Sequence, residues 1–212
     1  MSLTAKESGG GDIPVLQRGW YNAVCCRIID LGTQEIEWQN QTKQLQKIVL
    51  GFLIEGEFVE IDGEMLPRVL NQEYTMSLHP KSRLRPQLEN WRNKPFSEEE
   101  LRGFDLKKLL GASAKVKVVL NDKGTWNNID YIDPPEHKIQ IPADFESGVF
   151  EFPSSGEIVA PDWVPNYLKR KIEDSLEVQR EKGMMSAGGS QGTPQTDAED
   201  AGSSFDDADI PF

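Results

Sequence analysis

Two cysteines, two histidines and no long apolar run leave 212 residues with little for the chemistries that need them most. Cys25 and Cys26 are adjacent, so in an extended chain they face opposite sides and make neither an ordinary disulfide nor a metal clip. Buried thiols in a reducing cytosol are the expectation. His79 and His137 are too few, and too badly spaced with the cysteines, to build a zinc site. A Walker loop, His-Glu-x-x-His and Gly-x-Ser-x-Gly are all missing. The longest apolar run, Ile48-Val-Leu-Gly-Phe-Leu-Ile54, is far too short to cross a bilayer. Met1 to Asp12 is polar and Gly-rich, with no apolar core of a secretory signal. The reading is a non-enzymatic protein of the cytoplasm, with no cofactor, no metal and no membrane.

What is present is acid, unevenly placed. The net charge is −12. Half of it falls in residues 183–212, where Asp197, Glu199, Asp200, Asp206, Asp207 and Asp209 meet no Lys or Arg. That stretch is otherwise Gly, Ser, Ala, Gln and Thr with hardly an apolar side chain. It cannot bury enough surface to offset its ordering entropy, so a disordered acidic tail is expected. It closes in Ile210-Pro211-Phe212: two apolar groups on a tether, useful when they dock in another protein's pocket, beside a proline that lowers the entropy lost on docking. Most acidic tails only aid solubility. Such a tail has no reason to finish in Ile-Pro-Phe.

Hydrophobic residues make up 37% and mean hydropathy is −0.53, which suits one modest domain with long loops and appendages. Residues 1–17 read as a flexible leader and 18–135 as the core. Residues 136–182 read as a wrapping segment with a C-terminal helix, followed by the tail at 183–212. Period-2 patterns predict strands at Gly19–Leu31, Leu45–Ile54 and Val69–Leu78, with Thr33–Thr42 a hairpin or long loop. Strict alternation puts Val24, Cys26 and Ile28 on one face of the first strand, with Ala23, Cys25, Arg27 and Ile29 on the other. In the second strand Ile48, Leu50, Phe52 and Ile54 face inward, opposite Lys47, Val49 and Gly51. Tyr74, Met76 and Leu78 face the core from the third.

The period then changes. Ser82 can cap a helix carrying Leu84, Leu88 and Trp91, with Pro86 in its first turn. Ser97-Glu-Glu-Glu100 has capping-box spacing, and Phe104–Leu110 closes at Gly111. Alternation returns at Ala114–Leu120, and Asn121-Asp-Lys-Gly124 turns the chain into Trp126–Ile132. Three strands, a helical insert and a two-stranded hairpin are the order of an OB-fold barrel, though a rearranged small β-barrel reads alike. Residues 136–160 lack periodicity and leave two readings open, a wrap around the barrel or a mobile segment. Val164, Leu168, Ile172 and Leu176 form one helical stripe reaching about Glu181, facing the barrel in preference to a second copy of the chain.

Basic residues interleaved with aromatics suit unpaired nucleic acid, since Lys and Arg neutralise phosphates while rings stack on bases. Arg27, Lys47, Lys115 and Lys117 point outward and form a stripe on the barrel. Trp38 and Lys43 on the first long loop, and Trp126 and Tyr131 from the last hairpin, are placed to close over it. Residues 81–94 are the most basic window, net +4. For any single aromatic the core is the commoner home; Trp38, among Glu37, Gln39, Asn40 and Gln41, is the exception. Asp133 with Glu136-His137-Lys138 is similar to the Asp…Glu-x-Lys pattern of metal-dependent nucleases. The Asp is too close for two carboxylates to hold one Mg²⁺.

The acidic run ending in Ile210-Pro211-Phe212 resembles the C-terminal tip of bacterial single-stranded-DNA-binding proteins, with Ala208 interrupting the run. Arg27-Ile-Ile-Asp-Leu-Gly-Thr-Gln34, Glu73-Tyr-Thr-Met-Ser-Leu78 and Gly103-Phe-Asp-Leu-Lys-Lys-Leu-Leu-Gly111 resemble phage-encoded single-stranded-DNA-binding proteins, over about residues 18–133. The resemblance implies sequence-tolerant coating of single strands during phage replication, recombination and repair in the bacterial host cytoplasm. It also implies recruitment of replication and recombination proteins through Asp206, Asp207, Asp209, Ile210, Pro211 and Phe212. The competing reading is an interaction adaptor that uses the same tip without binding nucleic acid.

Overall fold

Alternating apolar and polar residues carry the chain into strands, two of which run well past the pattern that announces them. The computed structural model describes residues 13–38, 41–61, 63–153 and 157–183, with Trp38 described for its backbone alone. The protein is mainly β. Strands β1 (Gly19–Trp38), β2 (Gln41–Ile61), β3 (Glu64–Thr75), β4 (Ser113–Leu120) and β5 (Asn127–Asp133) form one sheet in the order β3-β2-β1-β4-β5. All four pairings along this path are antiparallel. A short sixth strand, β6 (Gly148–Phe150), adds to β1 in parallel.

The polar stretch Thr33–Thr42 is the paired end of β1 and β2, with Thr33 opposite Gln46 and Trp38 opposite Gln41. This is the hairpin of the two expected alternatives, and low apolarity hid only how far its strands run: ladder hydrogen bonds extend the two-stranded ribbon past the apolar pattern. β1 also changes phase, between Cys25 and Arg27 and again between Asp30 and Gly32. Each irregularity inserts a residue and turns over every side chain beyond it. The main core therefore takes Ala23, Cys25 and then Ile28. Strict alternation put Ile28 with Val24 and Cys26, and the bulge corrects it. In β2 the inward set Ile48, Leu50, Phe52 and Ile54 is as expected, as is Tyr74 in β3.

Between β3 and β4 lies a helical insert. Helix α1 (Leu84–Trp91) buries Leu84, Leu88 and Trp91 with Pro86 in its first turn. Arg83, rather than Ser82, is its flanking residue, although the Ser82 hydroxyl still accepts from the Arg85 N–H at 3.4 Å. Helix α2 (Glu98–Arg102) starts on the Ser97–Glu100 capping box, and a 3-10 turn at Leu106–Leu109 follows. Helix α1 lies along β5. Gln87 exchanges hydrogen bonds with the Asp130 carbonyl and the Ile132 N–H, and Asn90 donates to the Ile132 carbonyl. Amide side chains thus satisfy the free edge of β5, which unpaired would attract another strand.

The other side of that edge meets β3 through side chains. Ile129 N–H donates to the Gln72 carboxamide at 2.8 Å, and Arg68 reaches Asn127 at 3.4 Å. Asn127 also exchanges two hydrogen bonds with the backbone of Leu16, at 2.7 and 2.9 Å. Leu16 is buried there, so the last residues of the leader are pinned across this seam.

Residues 139–178 cover the outer face of β1 and β2. Ile139, Ile141 and Phe145 pack on Val24, Cys26 and Leu53. Phe150, Val164, Leu168, Ile172 and Val178 bury Ile29, Leu31 and Val49. Of the two readings of 136–160, the described residues support the wrap. The C-terminal stripe is buried against the sheet, but not by one helix. It breaks into α3 (Asn166–Glu173) and α4 (Leu176–Glu181), where Ser175 caps α4 by accepting from Val178 N–H. Gly32 makes the fit possible: at φ +69° a Cβ would sit 2.8 Å from the Phe152 ring and 2.9 Å from Ser175 Cβ. No helix among the described residues is long and apolar enough to cross a membrane.

Candidate nucleic-acid interface

Where the cover stops, a groove opens on the outer face of β3. Its volume is about 860 Å³. One wall is the outer end of the β2–β3 hairpin, with Val59, Ile61, Met65 and Leu66; the other is formed by Phe145 and the start of α3. The hairpin end is pushed out of line by a register shift between Leu53 and Phe58. Phe58, Met65 and Leu66 are left exposed.

Two rings stand at the mouth. Trp126, placed just before β5 by the Asn121 turn, is 51% exposed and meets Tyr167 edge-to-face, with centroids 6.2 Å apart. Tyr167 in turn accepts from the Asn71 carboxamide at 3.0 Å, which fixes it over β3. The Asn71 side-chain oxygen is buried and finds no hydrogen-bond partner among the described residues. On the floor Arg27 lies between the Phe145 ring, 5.0 Å away, and the Trp163 ring, 5.7 Å away, and donates to the Glu146 carbonyl. Gly51 lets Arg27 and Asn71 approach, since a Cβ there would be 3.0 Å from Arg27 Cβ and 2.9 Å from Asn71 Oδ1. Arg68 also lines the groove but is buried and bonded to Asn127, and Asp144 adds a carboxylate.

Beyond β5 a second surface is left bare. Trp20 (β1), Lys117 (β4) and Tyr131 (β5) occupy matching register positions and form one row across three strands. Trp20 is 44% and Tyr131 52% exposed. The Lys117 ammonium lies 5.2 Å from the Tyr131 ring and bonds Asp130 at 2.9 Å, a hydrogen bond that holds its pKa above the ordinary lysine value. Lys115 lies 5.7 Å from the Trp20 ring and pairs with Glu136. Glu55, fastened by His137 at 2.9 Å, borders the row beside Asn22.

The expected stripe is thus divided. Arg27 and Trp126 belong to the groove; Lys115, Lys117 and Tyr131 belong to the row. Lys47 belongs to neither. It is 3% exposed, donates to Thr75 Oγ1 at 3.0 Å and faces Glu73, so it is a buried structural cation and not an outward one. Lys43 lies half-buried on the β1–β2 ribbon, and Trp38 ends β1, its side chain outside the described residues. The basic window 81–94 is also largely engaged. Arg83 donates to the Ile129 carbonyl, Arg85 pairs with Glu89, and Arg92 pairs with Glu100 above Phe96 and Phe104. Trp20 and Tyr167 were missed, although Trp20 lies out of phase with the core residues Ala23 and Cys25, which was its signal. The tip residues Asp206, Asp207, Asp209, Ile210, Pro211 and Phe212 lie outside the described residues.

Asp133 and Glu136 are occupied by Asn90 and Lys115. Among the described residues no group of three His, Cys, Asp or Glu side chains is placed to hold a metal ion. Cys25 and Cys26 are buried free thiols; burial raises both pKa values, that of Cys26 to about 11. No protein-family model, curated protein or solved structure matches the chain.

Proposed function

We propose that this is an OB-fold-like protein that binds single-stranded DNA without strong sequence preference, in the groove on the outer face of β3. The strand order β3-β2-β1-β4-β5, the helical insert before β4 and the side-chain seam between β3 and β5 support the barrel reading. OB folds bind oligonucleotides on the face of strands 2 and 3 and on the β1–β2 and β4–β5 loops. The groove uses two of these features, the face of β3 and the β4–β5 loop that carries Trp126, which supports the reading. The observation that carries the reading is the Trp126–Tyr167 pair at the mouth of a groove floored by Arg27. Exposed rings offer faces to unpaired bases, and the Arg27 guanidinium neutralises phosphate or stacks. The acidic tail recruits partners to the coated strand through Ile210-Pro211-Phe212, on the tip resemblance alone.

The net charge leaves stacking with a large share of the affinity, so binding is expected to be only moderately sensitive to salt. A titration of labelled oligo-dT and of duplex of equal length over a salt series tests this. Single strands should win, with log affinity falling about 0.7 per neutralised phosphate for each tenfold rise in salt. Duplex preference, or no binding of either, removes the reading and leaves the adaptor alternative.

A further inference from the structure

We infer that the row Trp20–Lys117–Tyr131 is a second single-strand subsite, separate from the groove and reached only by longer strands. It rests on the reading above. The three side chains are cross-strand neighbours on β1, β4 and β5, so their order is ring, cation, ring. Adjacent strands lie about 4.8 Å apart, which sets the two rings about 10 Å apart. That is roughly three times the ~3.4 Å charge spacing along one strand of a duplex. Bases about three nucleotides apart can therefore stack on the two rings, with a phosphate between them able to pass Lys117. A duplex keeps its base faces stacked on one another and has none to offer the rings.

The lysines already hold carboxylates where phosphate oxygens would sit. Lys117 has Asp130 at 2.9 Å and Lys115 has Glu136 at 2.5 Å. Both pairs are exposed enough to exchange, so an incoming phosphate replaces a carboxylate. The row then adds stacking energy with a shallow salt dependence. Its distance from the groove follows from β5. Trp126 and Tyr131 are five residues apart on an extended chain, about 17 Å. A strand spans that in about five phosphate steps at duplex spacing, and fewer when extended.

An oligo-dT length series decides the matter, from about 4 to about 16 nucleotides, the range of OB sites, and beyond. It is run on the full chain with Trp20→Ala/Tyr131→Ala, Tyr131→Phe, Asp130→Asn and Trp126→Ala, each checked by thermal unfolding. The double variant should bind the shortest strands as the wild type does and lose roughly 5- to 150-fold per ring on longer ones. Tyr131→Phe keeps the ring and should retain wild-type affinity at every length. Asp130→Asn frees Lys117, so long-strand affinity should rise and the salt slope steepen by about 0.7. Equal loss at all lengths would make the row the primary site; no loss at any length would make it a solvated surface. Either overturns the inference. If Trp126→Ala weakens binding while the row variants change nothing, only the second subsite falls. If the wild type binds no oligo-dT, both readings fall together.

Discussion

β1 presents one outward face that the protein treats in two ways. At its start Trp20 stands in the open beside two lysines. From Val24 onward Val24, Cys26, Ile29 and Leu31 are sealed under residues 139–178. The sequence of the strand explains the division. Apolar residues on both faces require a cover, and a tryptophan paired across strands with a lysine does not. The same contrast separates Lys47, buried against Glu73, from Lys117, exposed at the end of a surface ion pair. Polar side chains in the covered part hold the fold; those in the open part are free to exchange partners.

The sharpest way to break the comparison is charge reversal at the two lysines. Lys47→Glu puts a buried carboxylate beside Glu73 and should cost about 3–5 kcal/mol of stability, the scale of a broken buried pair. Lys117→Glu should leave thermal unfolding nearly unchanged. Equal effects on melting would erase the distinction. Next in size is the cover itself. Ile172→Ala removes a side chain that is 2% exposed between α3 and the sheet and should cost about 2–5 kcal/mol by denaturant titration. Retained stability would mean the C-terminal segment does not seal β1.

Trp126→Ala tests the open side. It should leave the melting temperature within a degree or so of wild type and reduce oligo-dT affinity roughly 5- to 150-fold with little change in salt slope, since a stacked ring is not a counterion. The smallest effect is pH dependence, and it belongs to the cover. Burial pushes the Glu177 carboxyl up, but hydrogen bonds from Thr33 Oγ1 at 2.6 Å and Thr33 N–H at 2.8 Å outweigh it and hold the pKa below its ordinary 4.5. That stability is present above about 4.5 and lost as pH falls through the lowered value. Thr33→Val should blunt the acid loss in thermal melts. The Cys26 thiol shifts the other way, so its contribution is complete below 9.0 and lost as pH rises toward about 11.

The strands, the insert helix, the Ser97 capping box and the inward set of β2 were legible because each is written in local periodicity or capping chemistry. The phase of β1 was not, because its bulges are set by tertiary packing; Gly32, where Phe152 and Ser175 press on the backbone, shows what they accommodate. The break of the C-terminal helix at Ser175 is legible only in hindsight, since the apolar stripe runs straight through it. Around the candidate site, the surface placement of Lys115, Lys117, Trp126 and Tyr131 was legible from residue type and alternation. Lys47 was misplaced because its strand is covered on both faces, so outward from the core is not outward to water. The arginines of 81–94 satisfy neighbouring carbonyls, carboxylates and rings that sequence spacing does not bring together.

Hydrogen exchange of the backbone amides, with and without saturating oligo-dT, tests most directly whether single strands lie in the groove and leave the rest of the cover untouched. The expected result is added protection at residues 65–71, 125–127, 144–146 and 166–167, all on the groove, with residues 168–178 unchanged. Protection confined to 168–178, or no change anywhere under conditions where binding is saturated, would contradict the account.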